Sequence, residues 1–220
     1  GDIQAAIGIT GEKTILLHCI TSYPAPEEEY NLRLIPNLRR IFGLDTGISD
    51  HSAHPVLVPA AAAALGASVL EKHFTLSRDD GGLDDPIALT PKEFAMMTGS
   101  VRRAEKEGTE MLCEMEEEFG KKRIECILGD GIKRLAPSEA ANYHTTRRSI
   151  HAITAIQAGQ PFTARNTALL RSEKNHAPGI GPEFLPLILG KTAVRYIKEG
   201  NGIVWDDLLN TAASLPGGPR

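Results

Sequence analysis

Thr14-Ile-Leu-Leu-His-Cys-Ile-Thr21, closed by Tyr23-Pro24-Ala25-Pro26, decides how the first half of this sequence is read. A short apolar run that ends on a proline-rich turn predicts a buried strand. Leu34, Leu38, Ile41 and Phe42 follow at helical spacing before Gly43, with Pro36 placed to fit a first turn. Asp45 to Ser49 is a second strand candidate, and His54 to Leu65 a helix stopped by Gly66. Ala67-Ser-Val-Leu-Glu-Lys-His-Phe74 is a third strand. Thr90 as N-cap, Pro91 at the first helical position and Glu93 three residues after the cap then announce a helix whose face is Phe94, Met97, Val101 and Ala104. Strand and helix in alternation imply parallel strands covered by helices, an α/β fold. Three such units fall short of the eight in a closed (β/α)8 barrel of ~250 residues.

Beyond Gly108 the alternation stops. Glu114, Glu116, Glu117 and Glu118 adjoin Lys121, Lys122 and Arg123, and Gly129-Asp-Gly131 follows, which predicts a solvated linker over 109–145. The remainder repeats itself. Ala152, Ile153, Ile156, Gly159, Phe162 and Asn166 match Ala193, Val194, Ile197, Gly200, Ile203 and Asp207 at a constant offset of 41 residues, without a gap. A small β-rich domain with two related halves accounts for this pattern.

Composition narrows the class of function. The chain has 220 residues, 24 Lys plus Arg against 28 Asp plus Glu, and no basic stripe interleaved with aromatics, which disfavours a nucleic-acid binder. No apolar run approaches the ~18 residues of a membrane span. Cys19, Cys113 and Cys126 are too scattered for a disulfide framework and point to a reducing, cytoplasmic compartment.

Two triplets carry the chemistry. Ser49-Asp50-His51 lies just beyond one strand and Glu71-Lys72-His73 at the end of the next. Ligands of parallel α/β folds sit at the carboxyl ends of strands. Adjacent strand ends would bring His51 and His73 together, and Glu71 shares a strand face with His73. Two imidazoles with nearby carboxylates suit a borderline divalent ion such as Mn2+ or Zn2+; two histidines hydrogen-bonded within buried strand ends explain the same residues. Asp84, in the loop after the third strand, could face the barrel mouth or be a solvated turn residue. Thr21 and Tyr23 follow the first strand. Cys19 reads as a core residue, His18 and His54 as structural or surface residues. Arg171, ahead of the Pro178-Gly-Ile-Gly-Pro182 loop, could present its donor fork to a carbonyl or carboxylate, or remain a surface charge.

These segments together resemble the bacterial sialic acid synthase family: the N-acetylneuraminate synthases and their legionaminate, pseudaminate and spore-coat relatives. The resemblance rests on Leu17-His-Cys-Ile-Thr-Ser-Tyr-Pro24, Ser49-Asp-His-Ser52, Ala64-Leu-Gly-Ala67, Glu71-Lys-His-Phe-Thr75, Gly82-Leu-Asp84 with Leu89-Thr-Pro91, Arg147-Arg-Ser-Ile150 and Pro178-Gly-Ile180. It implies that residues 1–108 are the C-terminal part of a TIM (β/α)8 barrel and residues 146–215 a small antifreeze-like (β-clip) domain. It also implies condensation of phosphoenolpyruvate with an N-acylated aminosugar, N-acetylmannosamine or a relative, with release of phosphate. By motif position His51 and His73 resemble the metal ligands, for Mn2+ first and Mg2+, Co2+ or Zn2+ as alternatives. Thr21 and Ser49 resemble residues near phosphoenolpyruvate; Tyr23, Glu71 and Asp84 resemble residues around the sugar or a metal-bound water. Arg171 resembles the arginine that reaches the partner's sugar in a domain-swapped homodimer. Thr21 stands where many members have Asn or Ser, and Ala88 where Ser is common. The family's phosphate-binding lysines and early-strand glutamates have no counterpart here, so the polypeptide alone is expected to lack synthase activity. A non-catalytic carbohydrate-binding or dimerisation module is the competing expectation.

Overall fold

The predicted strands form where their apolar runs lie. In the computed structural model, which describes residues 2–141, 143, 147–172 and 176–209, β1 (Leu16–Cys19), β2 (Thr46–Asp50) and β3 (Leu70–Lys72) make one parallel sheet in the order β1-β2-β3. Leu17 pairs with Gly47 and Cys19 with Ser49; Ser49 pairs in turn with Glu71, and Asp50 with Lys72. Side chains alternate along each strand, so Cys19, Ser49 and Glu71 share one face while Asp50 and Lys72 point to the other. A short fourth segment extends the edge, where Leu89 bridges Phe74 in parallel and its N–H donates to the His73 carbonyl at 2.9 Å.

Helices cover the second face. After α1 (Asp2–Thr10), helix α2 (Leu34–Phe42) carries Pro36 in its first turn and ends on Gly43, whose φ of 67° lets the amide reach the Arg39 carbonyl. Helix α3 (Leu57–Ala64) is buried along its whole length, because α4 (Pro91–Glu107) and α5 (Glu110–Phe119) pack against it from outside. The Thr90 start of α4 forms as its spacing predicts: the Glu93 carboxylate accepts the Thr90 N–H at 2.9 Å and its hydroxyl at 2.8 Å.

The solvated linker expected over 109–145 is corrected by the structure. Helix α5 buries Met111, Leu112 and Met115, and α6 (Lys121–Leu128) buries Ile124, Ile127 and Leu128 in the same core as Ile35 and Leu57. Each helix needs only a narrow apolar stripe at i, i+3 or i+4, and the charges that dominated the composition occupy the outward face. Leu32 and Arg33 donate their N–H groups to the Ile127 and Leu128 carbonyls at 3.0 and 2.9 Å. Gly129 packs against Asn31, so closely that an added Cβ would fall 2.4 Å from the Asn31 side-chain oxygen. The first unit therefore runs over residues 1–140 and the second over 141–220. Residues 142, 144–146 and 210–215 of the expected linker and small domain lie outside the described residues.

The second unit bears out the repeat. Strands β4 (Arg148–Ala152) and β5 (Thr167–Arg171) pair antiparallel. The two copies exchange main-chain hydrogen bonds reciprocally: Ile156 and Ile197 bond each other both ways, the Gly159 N–H donates to Ala193 and the Gly200 N–H to Ala152. Asn166 and Asp207 act alike, their side chains accepting the N–H groups of Thr163 at 2.7 Å and Val204 at 2.8 Å. Ile156, Phe162, Ile197 and Ile203 fill the core between the copies. Among the described residues no helix is long and apolar enough to cross a membrane.

Candidate active site at the carboxyl ends of β1 to β3

Residues just past the ends of β2 and β3 meet above the sheet. The His51 and His73 ring centroids lie 5.3 Å apart. That is one inter-strand spacing, as the next step of the Asp50–Lys72 register requires. Tyr23, carried on the loop after β1, stacks on His51 at 4.2 Å and meets His73 edge-on at 5.7 Å. His51 Nδ1 stands 2.8 Å from the Ile20 carbonyl, which can only accept, so Nδ1 is the donor of that bond. A cavity of about 100 Å3 beside the rings is lined by Ser49, Asp50, His51, Glu71, Lys72 and His73.

Hydroxyls and carboxylates surround the rings. Ser49 Oγ donates to Glu71 Oε1 at 2.7 Å across the β2–β3 register. Asp84 Oδ2 approaches His73 Nδ1 at 3.6 Å, because the Gly82–Asp85 turn folds back before Leu89 rejoins the sheet edge. Thr21 donates its N–H to Glu139 Oε1 at 2.8 Å, from the turn Pro137–Glu139. Burial pushes the Cys19 thiol up, opposite to what a nucleophilic thiolate needs. As a donor set for a divalent ion, the cluster offers His51 Nε2, in the orientation a metal-bound histidine has when its other ring nitrogen bonds a carbonyl. His73 stands beside it. Among the described residues no three His, Cys, Asp or Glu side chains converge to hold an ion, so an ion on these two imidazoles would need water or substrate oxygens to complete its coordination.

Behind the sheet lies a buried polar network. Lys72 Nζ pairs with Asp50 Oδ2 at 2.8 Å, with both side chains at most 2% exposed. Asp50 Oδ1 accepts the Tyr30 hydroxyl at 2.7 Å and the Ser52 N–H at 2.8 Å. The Tyr30 oxygen in turn accepts the His51 N–H at 2.8 Å. Burial first, then the Asp50 charge, drive the Tyr30 hydroxyl far above its ordinary range, so it stays a donor.

Residues 1–111 match the NeuB family and residues 147–209 match the SAF domain. The chain belongs to the NeuB family. It is 37% identical over 196 residues to the spore coat polysaccharide biosynthesis protein SpsE of Bacillus subtilis, which covers 88% of this chain and 50% of that one. It is 34% identical over 205 residues to the N,N'-diacetyllegionaminic acid synthase of Campylobacter jejuni, covering 90% and 54%. The crystal structure of SpsE superposes with a TM-score of 0.81 at 35% identity, over 96% of this chain and 58% of that one. The chain thus spans about half the length of the curated relatives it matches.

NeuB membership fixes the fold class: the three strands and their helices are part of a (β/α)8-type barrel, and the reciprocal repeat is an antifreeze-like SAF domain. Seven of the sequence-predicted site residues, Thr21, Tyr23, Ser49, His51, Glu71, His73 and Asp84, fall at one end of this NeuB sheet or in its loops. Arg171 belongs to the SAF unit, where it ends β5 opposite Arg148; residues 173–175 beside it lie outside the described residues. Sequence reasoning missed Tyr30, Asp50, Lys72 and Glu139. Asp50 and Lys72 stood inside the two quoted triplets, each one residue before a histidine, and only the register reveals that they pair.

Proposed function

We propose that this chain serves a synthase that joins phosphoenolpyruvate to an N-acylated aminosugar, N-acetylmannosamine or a relative, to make a nonulosonic acid. The observation that carries this reading is the meeting of His51, His73 and Tyr23 beside Ser49 and Glu71 in a NeuB-family chain. In this reaction C3 of phosphoenolpyruvate attacks the aldehyde carbon of the open sugar and C2 becomes an oxocarbenium centre. Water adds to C2, and the tetrahedral product expels phosphate to leave the 2-keto acid. His51 and His73 would hold a divalent ion, Mn2+ in the first place, which when bound supplies Lewis-acid polarisation of the aldehyde. Ser49 keeps Glu71 oriented by its hydrogen bond, and Glu71 can accept a proton from the incoming water. Asp84, close to His73, can accept a sugar hydroxyl. Tyr23 covers the His51 ring and shields that side from water. Thr21 and Ser49 take the phosphoenolpyruvate side.

The reading includes a domain-swapped homodimer in which Arg171 of one subunit reaches the N-acyl group at the other's barrel. Its exposed guanidinium at the end of β5 supports this role. Three free cysteines support a cytoplasmic setting.

Lys72 turns its side chain to the helix-covered face, where Asp50 neutralises it, and among the described residues no further Lys or Arg borders the cavity beside the rings. The 220-residue chain assayed alone with Mn2+ and both substrates is therefore expected to release no phosphate. The same observation favours a second reading, a non-catalytic carbohydrate-binding or dimerisation module. A chimera carrying the first half of the Campylobacter jejuni synthase ahead of this chain separates the two. Turnover that His51→Ala and His73→Ala each abolish is expected; a folded chimera without turnover rejects the enzyme.

A further inference from the structure

The residue before each histidine of the pair points away from the site, yet these two side chains find each other. Asp50 and Lys72 face one another in the β2–β3 register, one step short of His51 and His73. Their ion pair, 2.8 Å long and withdrawn from solvent, lies on the helix-covered face. An ion pair so deeply buried is weak evidence of stabilisation, because desolvating both charges offsets their attraction and apolar residues of similar size often serve as well. Fixing a register is the better-attested use of such a pair.

The remaining bonds run toward His51. Asp50 Oδ1 accepts from the Tyr30 hydroxyl, and the Tyr30 oxygen accepts the His51 N–H. Lys72 Nζ also donates to the Ser52 carbonyl, and the Ser52 N–H donates to Asp50, so both residues flanking the His51 peptide unit are tied to the β3 strand. On its other sides His51 is held by the Ile20 carbonyl, which accepts from its ring, and by the Ala25 N–H, which donates to its carbonyl at 3.0 Å. Main chain from the β1 loop thus fixes the ring's rotation, while on the helix-covered face the side-chain links from His51 to β3 run through Tyr30, Asp50 and Lys72, beside the main-chain pairing and the Ser49–Glu71 bond on the other face.

We propose that Tyr30, Asp50 and Lys72 form a clamp behind the sheet that sets the separation of the His51 and His73 rings, and that they are positioning residues for the divalent ion this pair holds. The inference rests on the metal reading above. Groups that orient metal ligands typically alter affinity by about 10–100-fold when removed.

Mn2+ titrations of the purified 220-residue chain, followed by the electron paramagnetic resonance signal of free Mn2+, test it beside thermal unfolding without metal. Tyr30→Phe removes one oxygen, and the double variant Asp50→Leu with Lys72→Met replaces both charges by apolar groups of similar size. Both are expected to bind Mn2+ about 10–100-fold more weakly than the parent while keeping its midpoint within a few degrees. Parental affinity in either folded variant overturns the clamp and leaves the metal reading intact. Affinity that declines only with the folded fraction overturns it too, since that is plain destabilisation; should the double variant not fold, Tyr30→Phe alone decides. A parent that binds no Mn2+, or whose affinity survives His51→Ala and His73→Ala, overturns the metal reading and the clamp together.

Discussion

Gly47 in β2 has no room for a side chain. A Cβ built on it would stand 2.2 Å from the Val69 carbonyl oxygen and 2.9 Å from Leu17 Cδ2, so strand backbone, not a flexible side-chain tip, would have to give way. Gly47→Ala is expected to cost about 1–3 kcal/mol in a urea unfolding midpoint, the range for overpacking a filled site. It should also disturb Ser49, two residues along the same face. The residue scale also shows what could be read in advance. His51, His73, Ser49 and Glu71 were legible because each follows or ends a strand, and strand ends in this topology face one way. The stack of Tyr23 on His51 was not, since it depends on the course of the loop from Thr21 to Ala25. Nor was the Asp50–Lys72 pair, whose partners are 22 residues apart and meet only through the register.

At the scale of elements, α3 begins in a way that makes it sensitive to pH. His54 Nδ1 accepts the N–H groups of Val56 and Leu57 at 3.1 and 3.2 Å, taking the place of an N-cap oxygen. Only an unprotonated nitrogen can do this. Burial, ahead of the opposing pull of Glu27, lowers the ring's pKa below the ordinary 6.5. The unfolded ring therefore takes up a proton before the folded one, and the cap's contribution is complete above pH 6.5 and fades as the pH falls below it. His54→Asn supplies a side-chain oxygen that does not titrate there. It should match the parent at pH 7.5 and resist a shift to pH 5.5 better in thermal unfolding. The sequence placed this helix and its Gly66 stop, but not a histidine as its cap. It also concealed α5 and α6, whose six buried residues are outnumbered by charged ones on the same helices.

At the scale of the molecule, the SAF unit was the more legible half, because its period of 41 residues is a statement about symmetry rather than about any one contact. Gly159 and Gly200 both adopt a φ of 86°, at equivalent turns. Gly159→Ala meets no atom within 4 Å and should cost only the left-handed backbone penalty, about 1–2 kcal/mol. Gly200→Ala carries the same penalty and in addition brings its Cβ to 2.5 Å from the His176 ring, so it should unfold at the lower temperature of the two. Equal midpoints would show that His176 moves aside freely.

The amides of Ile156, Gly159 and Phe162 find their acceptors at Ile197, Ala193 and Lys191. A nonsense codon that ended translation just before Lys191 would therefore leave those three amides in the surviving half unanswered. Neither half is a spare for the other, and a lesion in the coding sequence of one is inherited by both.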